Sequence, residues 1–128
     1  MSEQRDKFCT AIKQKYPEIS EKVDAEYLKQ WGECDAPEYY SYSWFEALAN
    51  TLNKQMSWSV PAEKFSDLFS DISDAFKSGG ADVKECIDVA FVENLYWQVA
   101  PEKAENYWVL MPDTLKELYV DFHHRTPL

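Results

Sequence analysis

Glycine is nearly missing from this sequence: Gly32, Gly79 and Gly80 are the only three in 128 residues. So few flexible positions argue against a turn-rich all-β fold. They also argue against a phosphate-cradling loop, which needs glycine where the backbone approaches the anion. Cysteine is scarce too. Cys9, Cys34 and Cys86 are odd in number, far apart and without C-x-x-C spacing, the pattern of free thiols in a reducing compartment. Bases are outnumbered, 13 against 23 acids, for a formal net charge of −10. A surface this negative repels nucleic acid and anionic membrane, which are bound through clustered Lys and Arg. It admits a cationic partner, although solubility alone also favours an acidic surface. Long apolar runs are lacking. The start, MSEQRDKF, has no apolar stretch behind a basic end, so neither a secretory signal nor a membrane span is expected, and the natural location is the cytoplasm.

Aromatics, in contrast, make up 16% of the chain, with five Trp, eight Tyr and seven Phe. Rings of this size dominate a core, and 128 residues suffice to bury one without staples. No internal repeat, low-complexity block or long linker divides the chain, so residues 1–128 are expected to form a single domain.

The periodicity is helical throughout. Phe8, Ile12 and Tyr16 form one stripe on a first helix. Pro17 stops it and opens a second, carrying Ile19, Val23, Tyr27, Leu28 and Trp31, with Gly32 as its C-terminal cap. The two read as a hairpin or a bent pair. The stretch from Glu33 to Tyr42 has no helical period, contains Pro37 and alternates acids with tyrosines, so it reads as the longest irregular segment.

A third helix is predicted from about Trp44 to Met56, capped by Ser41 or Ser43. Trp44, Phe45, Leu48, Leu52 and Met56 share an arc, while Glu46, Asn50, Asn53 and Lys54 face away. SWSV after it could be briefly extended. A fourth helix follows from Pro61 to about Lys77, with Phe65, Leu68, Phe69, Ile72 and Phe76 on one face. Glu63, Asp67, Asp71 and Asp74 lie on the other, and Ser78-Gly79-Gly80 closes it. Pro101 and Pro112 open two last helices, the second starting either at Pro112 or at Thr114, whose spacing to Glu117 fits a capping box.

Val83 to Val99 differs from the rest, because its apolar groups surround the helical wheel instead of forming a stripe. Such a helix is buried by neighbours on several sides, and four interspersed charges make it too polar to span a bilayer. The expected fold is therefore an all-α, single-domain bundle of six or seven helices around a central buried helix, with this segment at the centre.

No residue set names a reaction. His123 and His124 are adjacent and diverge by about 100° on a helix, so they cannot share a metal, and they read as a surface or capping pair. There is no H-E-x-x-H, no Cys/His ligand spacing and no local nucleophile arrangement. A metal-binding bundle would need E-x-x-H pairs, which are missing. No catalytic residue, metal ligand or cofactor is assigned. Cys9 and Cys86 fit core positions, acidic surroundings suppress reactivity at Cys34, and Asn94 is expected to reach a backbone carbonyl or ring group.

Two features point to binding. Like charges one turn apart destabilise a helix, so Glu63, Asp67, Asp71 and Asp74 in series call for an offset, which a Lys/Arg-rich partner would supply. Salt screening supplies it equally. The acid-tyrosine segment offers Glu33, Asp35, Glu38, Tyr39, Tyr40 and Tyr42, combining carboxylates for Arg with ring area at low entropy cost.

Near the C-terminus, FVENLYW followed by YWVLMPDTLKELYVDF resembles the end of a small bacterial family found in polymorphic-toxin neighbourhoods. The chain more generally resembles the short, acidic, helical immunity proteins that block cognate toxins in the producing cell. The resemblance implies a non-enzymatic, monomeric cytoplasmic protein that occludes a basic toxin domain, such as a nuclease. It carries over no binding residue. The alternative is a small regulatory or adaptor protein acting through an aromatic surface, as a homodimer.

Overall fold

The computed structural model describes residues 3–31 and 40–128, which form seven α-helices; no strand occurs among the described residues. Gly32, Glu33, Cys34, Asp35, Pro37, Glu38 and Tyr39 lie outside them, as does the side chain of Trp31. The all-α, single-domain bundle expected from periodicity is the fold observed.

Helix α1 (Glu3–Lys15) and α2 (Pro17–Trp31) are separated by Tyr16 alone, and the N–H groups of Tyr16 and Ser20 keep the helical bonding path through the junction. They form a bent pair, because one residue cannot reverse the chain. Helix α3 (Tyr40–Ser57) starts four residues earlier than the arc of apolar positions implied. Tyr40 and Tyr42 therefore belong to a helix and not to an irregular loop. The extra turn is held by tertiary contacts: Ser41, buried within it, donates to Asp6 at 2.5 Å, and Tyr40 meets Tyr27 edge-on. Ser41 and Ser43 thus lie inside the helix instead of capping it.

Twelve of the 18 residues of α3 are buried, more than in any other helix, and this makes α3 the centre of the bundle. Phe45 is fully buried, with Phe8 stacked on it at 4.9 Å and Trp44 and Phe91 edge-on. Because α3 is surrounded, even Asn53, Gln55 and Thr51 are buried, so the polar face assigned to Asn53 from the wheel is corrected.

A 3₁₀ turn at Ala62–Phe65 precedes α4 (Ser66–Ser78), which buries Leu68, Phe69 and Ile72 as its spacing predicts. At the tight exit from α4, a Cβ on Gly79 would lie 2.5 Å from the Ala75 carbonyl and 2.9 Å from Val83, so only glycine fits.

Helix α5 (Ala81–Glu85) then widens into a π-helical turn over Cys86–Phe91 and tightens into a 3₁₀ turn over Val92–Asn94. The changing period brings Cys86, Ile87, Ala90, Phe91 and Val92 inward together, which explains why this stretch is apolar all round. It is buried as expected, but it ends at Asn94 and is neither a single helix nor the hub. Helices α6 (Pro101–Leu110) and α7 (Asp113–His123) close the bundle, α7 starting directly after Pro112. No helix among the described residues is long and apolar enough to cross a membrane.

Candidate partner-binding surface

The four acids of the fourth segment do not make one stripe. Glu63 lies in the 3₁₀ turn, whose tighter winding separates it from Asp67, Asp71 and Asp74 on α4. Asp71 is engaged internally: Lys15 pairs with it at 2.7 Å and the Tyr16 hydroxyl donates to it. These two contacts hold its carboxyl below the usual range, while burial and the Asp71 carboxylate push the Tyr16 hydroxyl up. Glu63, Asp67 and Asp74 remain exposed.

Tyr40 and Tyr42 are half-buried and act as fasteners. The Tyr40 hydroxyl accepts from Lys13 at 2.7 Å, and the Arg5 guanidinium lies over the Tyr42 ring at 5.9 Å. Tyr42 also feels Glu85, Glu93 and Glu46, which together with its burial raise its pKa. Half-buried acids from separate elements lie on this side, Glu46 and Glu93 near Tyr42 and Asp88 near Glu93. Glu46 of α3, Asp88 of the π turn and Glu93 of the 3₁₀ turn are all half-buried, and none makes an ion pair among the described residues. Burial raises all three pKa values, and Asp121 adds repulsion at Asp88, which in turn repels Glu93.

Two tryptophans that the sequence reading left unassigned are the largest exposed rings among the described residues. Trp58 is 67% and Trp97 65% exposed, and both line a cleft of about 290 Å³ with Glu26, Asn50, Lys54 and Gln98. Each stands on a turn held by its neighbours. After α3, Val60 N–H bonds the Gln55 carbonyl and Ser59 N–H the Met56 carbonyl, the two bonds of a Schellman closure. Ser59 takes the left-handed position normally given to glycine, at φ 61°. Helix α6 clamps this turn, with the Lys103 ammonium donating to Ser59 and the Tyr107 hydroxyl to the Val60 carbonyl at 2.6 Å.

The second turn puts Tyr96 and Gln98 at φ 67° and 56° on either side of Trp97. Buried Asn53 holds it, donating to the Asn94 carbonyl at 2.8 Å and accepting from Tyr96 N–H at 2.7 Å. Left-handed non-glycine residues cost about 1 kcal/mol or more each and persist only where the surroundings over-determine them. Of the four such residues among those described, three flank Trp58 and Trp97. The backbone that carries the rings is thus held in place, which lowers the entropy lost on contact. A glycine-based search for turns misses both sites.

Burial pushes the Cys9 and Cys86 thiols up to about 11 and 12, a state that suppresses their reactivity. The His123 ring lies 4.1 Å from that of Tyr119 and reaches the Glu93 carbonyl at 3.3 Å, while His124 caps α7 in the left-handed conformation. Asn94 donates to the Ala90 carbonyl one turn back. Among the described residues no group of three or more His, Cys, Asp or Glu could hold a metal ion.

No curated protein and no solved structure matches the chain. The model of the family described as a domain of unknown function, DUF7674, matches residues 9–125, and the chain belongs to that family.

Proposed function

We propose that this protein is a non-enzymatic binding protein of the cytoplasm that occludes a basic partner, in the manner of an immunity protein covering a cationic toxin domain. The observation that carries this reading is the half-buried carboxylates without an ion pair among the described residues, Glu46 and Glu93 near Tyr42 and Asp88 near Glu93. Half-desolvated carboxylates without an ion-pair partner, two of them repelling each other, are unfavourable in the isolated protein. A Lys/Arg-rich surface relieves that cost on binding and is steered to it over long range. Exposed Asp67 and Asp74 add to the net charge of −10, and Trp58 and Trp97 supply the ring area that interface anchors use. A nuclease fits as the partner class, since its own site must be cationic to hold phosphate.

The triple substitution Glu46→Gln, Asp88→Asn and Glu93→Gln separates stability from binding. Burial raises these pKa values above the usual 4.5, 3.8 and 4.5. Well below the unfolded values both folded and unfolded chains are protonated and the groups cost nothing; the cost develops as pH rises from the unfolded values through the raised ones and is complete above them. The variant should therefore melt higher than wild type at pH 7, with the gain fading toward pH 3, and should associate with a basic partner about tenfold more slowly at low salt. Unchanged association kinetics would overturn the proposed role of this surface.

A second reading is favoured by Val109 and Leu110 on α6 and Val120 and Phe122 on α7, apolar residues exposed on two consecutive helices. Such a face suits an adaptor that self-associates. Light scattering at about 100 µM distinguishes them: a monomer supports occlusion of a basic partner, a dimer the adaptor.

A further inference from the structure

The cleft of about 290 Å³ that Trp58 and Trp97 line is walled by α2, α3 and the two left-handed turns. That size lies at the lower end of small-molecule sites and suits a compact ligand. Neither indole is used by the protein itself: among the described residues no ring or cation stacks on Trp58 or Trp97, and neither Nε1–H has a partner. Two unoccupied apolar plates therefore border one cleft.

Only two of the lining residues are charged, Glu26 and Lys54, and they cancel. Lys54 donates to Glu26 at 2.5 Å, and Gln30 donates to the other oxygen of the same carboxylate at 3.3 Å. A cationic ligand would compete with Lys54 for Glu26, and an anionic one with Glu26 for Lys54. In a chain of net charge −10 this cleft selects a neutral ligand.

Asn50 and Gln98 make no side-chain hydrogen bond among the described residues, so each carboxamide offers a donor and an acceptor together. The Glu26–Lys54 pair does the same, setting a carboxylate oxygen beside an ammonium that keeps N–H donors beyond the one given to Glu26. Hydroxyl groups, which both donate and accept, match such a lining, and vicinal hydroxyls match a donor and an acceptor held side by side. The indoles ask for something else. Their electron-rich faces attract the weakly positive C–H groups of a saturated ring. A pyranose with equatorial hydroxyls carries both features, hydroxyls around its edge and C–H on its faces.

We propose that this cleft binds a neutral saccharide of that kind. Its C–H faces lie on Trp58 and Trp97, and its hydroxyls bond Asn50, Gln98 and the Glu26–Lys54 pair. The assignment goes beyond the basic-partner reading and needs none of Glu46, Asp88 and Glu93, although saccharide and partner would compete for the two rings.

The test is an NMR titration of the isotope-labelled full chain with cellobiose, a neutral disaccharide with equatorial hydroxyls, and with cyclohexylmethanol and Nα-acetyl-lysine amide as apolar and cationic counterparts. Cellobiose should shift the indole Nε1–H signals of Trp58 and Trp97 and the side-chain amides of Asn50 and Gln98 saturably, with a Kd on the order of 1 mM. Trp58→Ala and Trp97→Ala should each weaken it about tenfold, and Asn50→Ala and Gln98→Ala about threefold. Equal or tighter binding of cyclohexylmethanol would reduce the cleft to an apolar surface, and of the lysine amide to a cation site. Either result, an unchanged Kd in the tryptophan variants, or no saturation by about 20 mM would overturn the proposal. Because the titration uses the chain alone, its failure leaves the basic-partner reading standing.

Discussion

Replacing Asn53 by leucine should destabilise the protein by about 2–5 kcal/mol. The side chain is 6% exposed and satisfies two backbone groups at once, the Asn94 carbonyl and the Tyr96 N–H. Leucine fills a similar volume, so the cavity term is small, but both groups are left unpaired in the interior, at about 1–3 kcal/mol each. The same bonds hold Tyr96 at φ 67°, and without them the turn has no reason to stay left-handed. Urea unfolding with an unchanged slope measures the loss, and Asn50→Ala, one turn away and half-buried, serves as the control with a change within about 0.5 kcal/mol. A loss below about 1 kcal/mol for Asn53→Leu would mean that the turn is held by packing alone.

Replacing Trp58 and Trp97 together by alanine should weaken binding to the basic partner a hundredfold or more while leaving stability within about 0.5 kcal/mol. Both rings are two-thirds exposed, so little core is lost with them. Buried tryptophans at an interface are commonly worth about 2 kcal/mol or more each, and 1.4 kcal/mol is a factor of ten. The held turns sharpen the expectation, since a backbone already fixed in place gives up little entropy on contact. Surface plasmon resonance with the captured partner measures Kd, and a change below about threefold would remove the tryptophans from the interface.

These two sites also mark where sequence reasoning stopped. Pro17, Pro61, Pro101 and Pro112 and the apolar spacing between them gave helix order and the buried face of α4, because proline and i, i+4 patterns act locally. Ser59, Tyr96 and Gln98 carry no such mark: they adopt a glycine-like backbone only because Asn53, Lys103 and Tyr107 clamp the turns from elsewhere. Asn53 looked solvent-facing because a wheel with one apolar arc implies an outer face, and α3, at the centre, has little of one. Asp71 looked like one more free acid because its partners, Lys15 and Tyr16, lie in another part of the chain. The acidic surface of Glu46, Asp88 and Glu93 escaped notice for the same reason, being assembled from three elements.

The central claim is that this surface exists to meet a basic protein. Its most direct test is capture of partners from the source lysate by the tagged full chain, at low and at high salt, with mass-spectrometric identification and with the Trp58→Ala, Trp97→Ala double variant beside it. The account predicts one strongly basic protein, retained at low salt, captured more slowly as salt rises and lost with the double variant. Recovery of the chain with only itself, or with acidic proteins indifferent to salt, would contradict it.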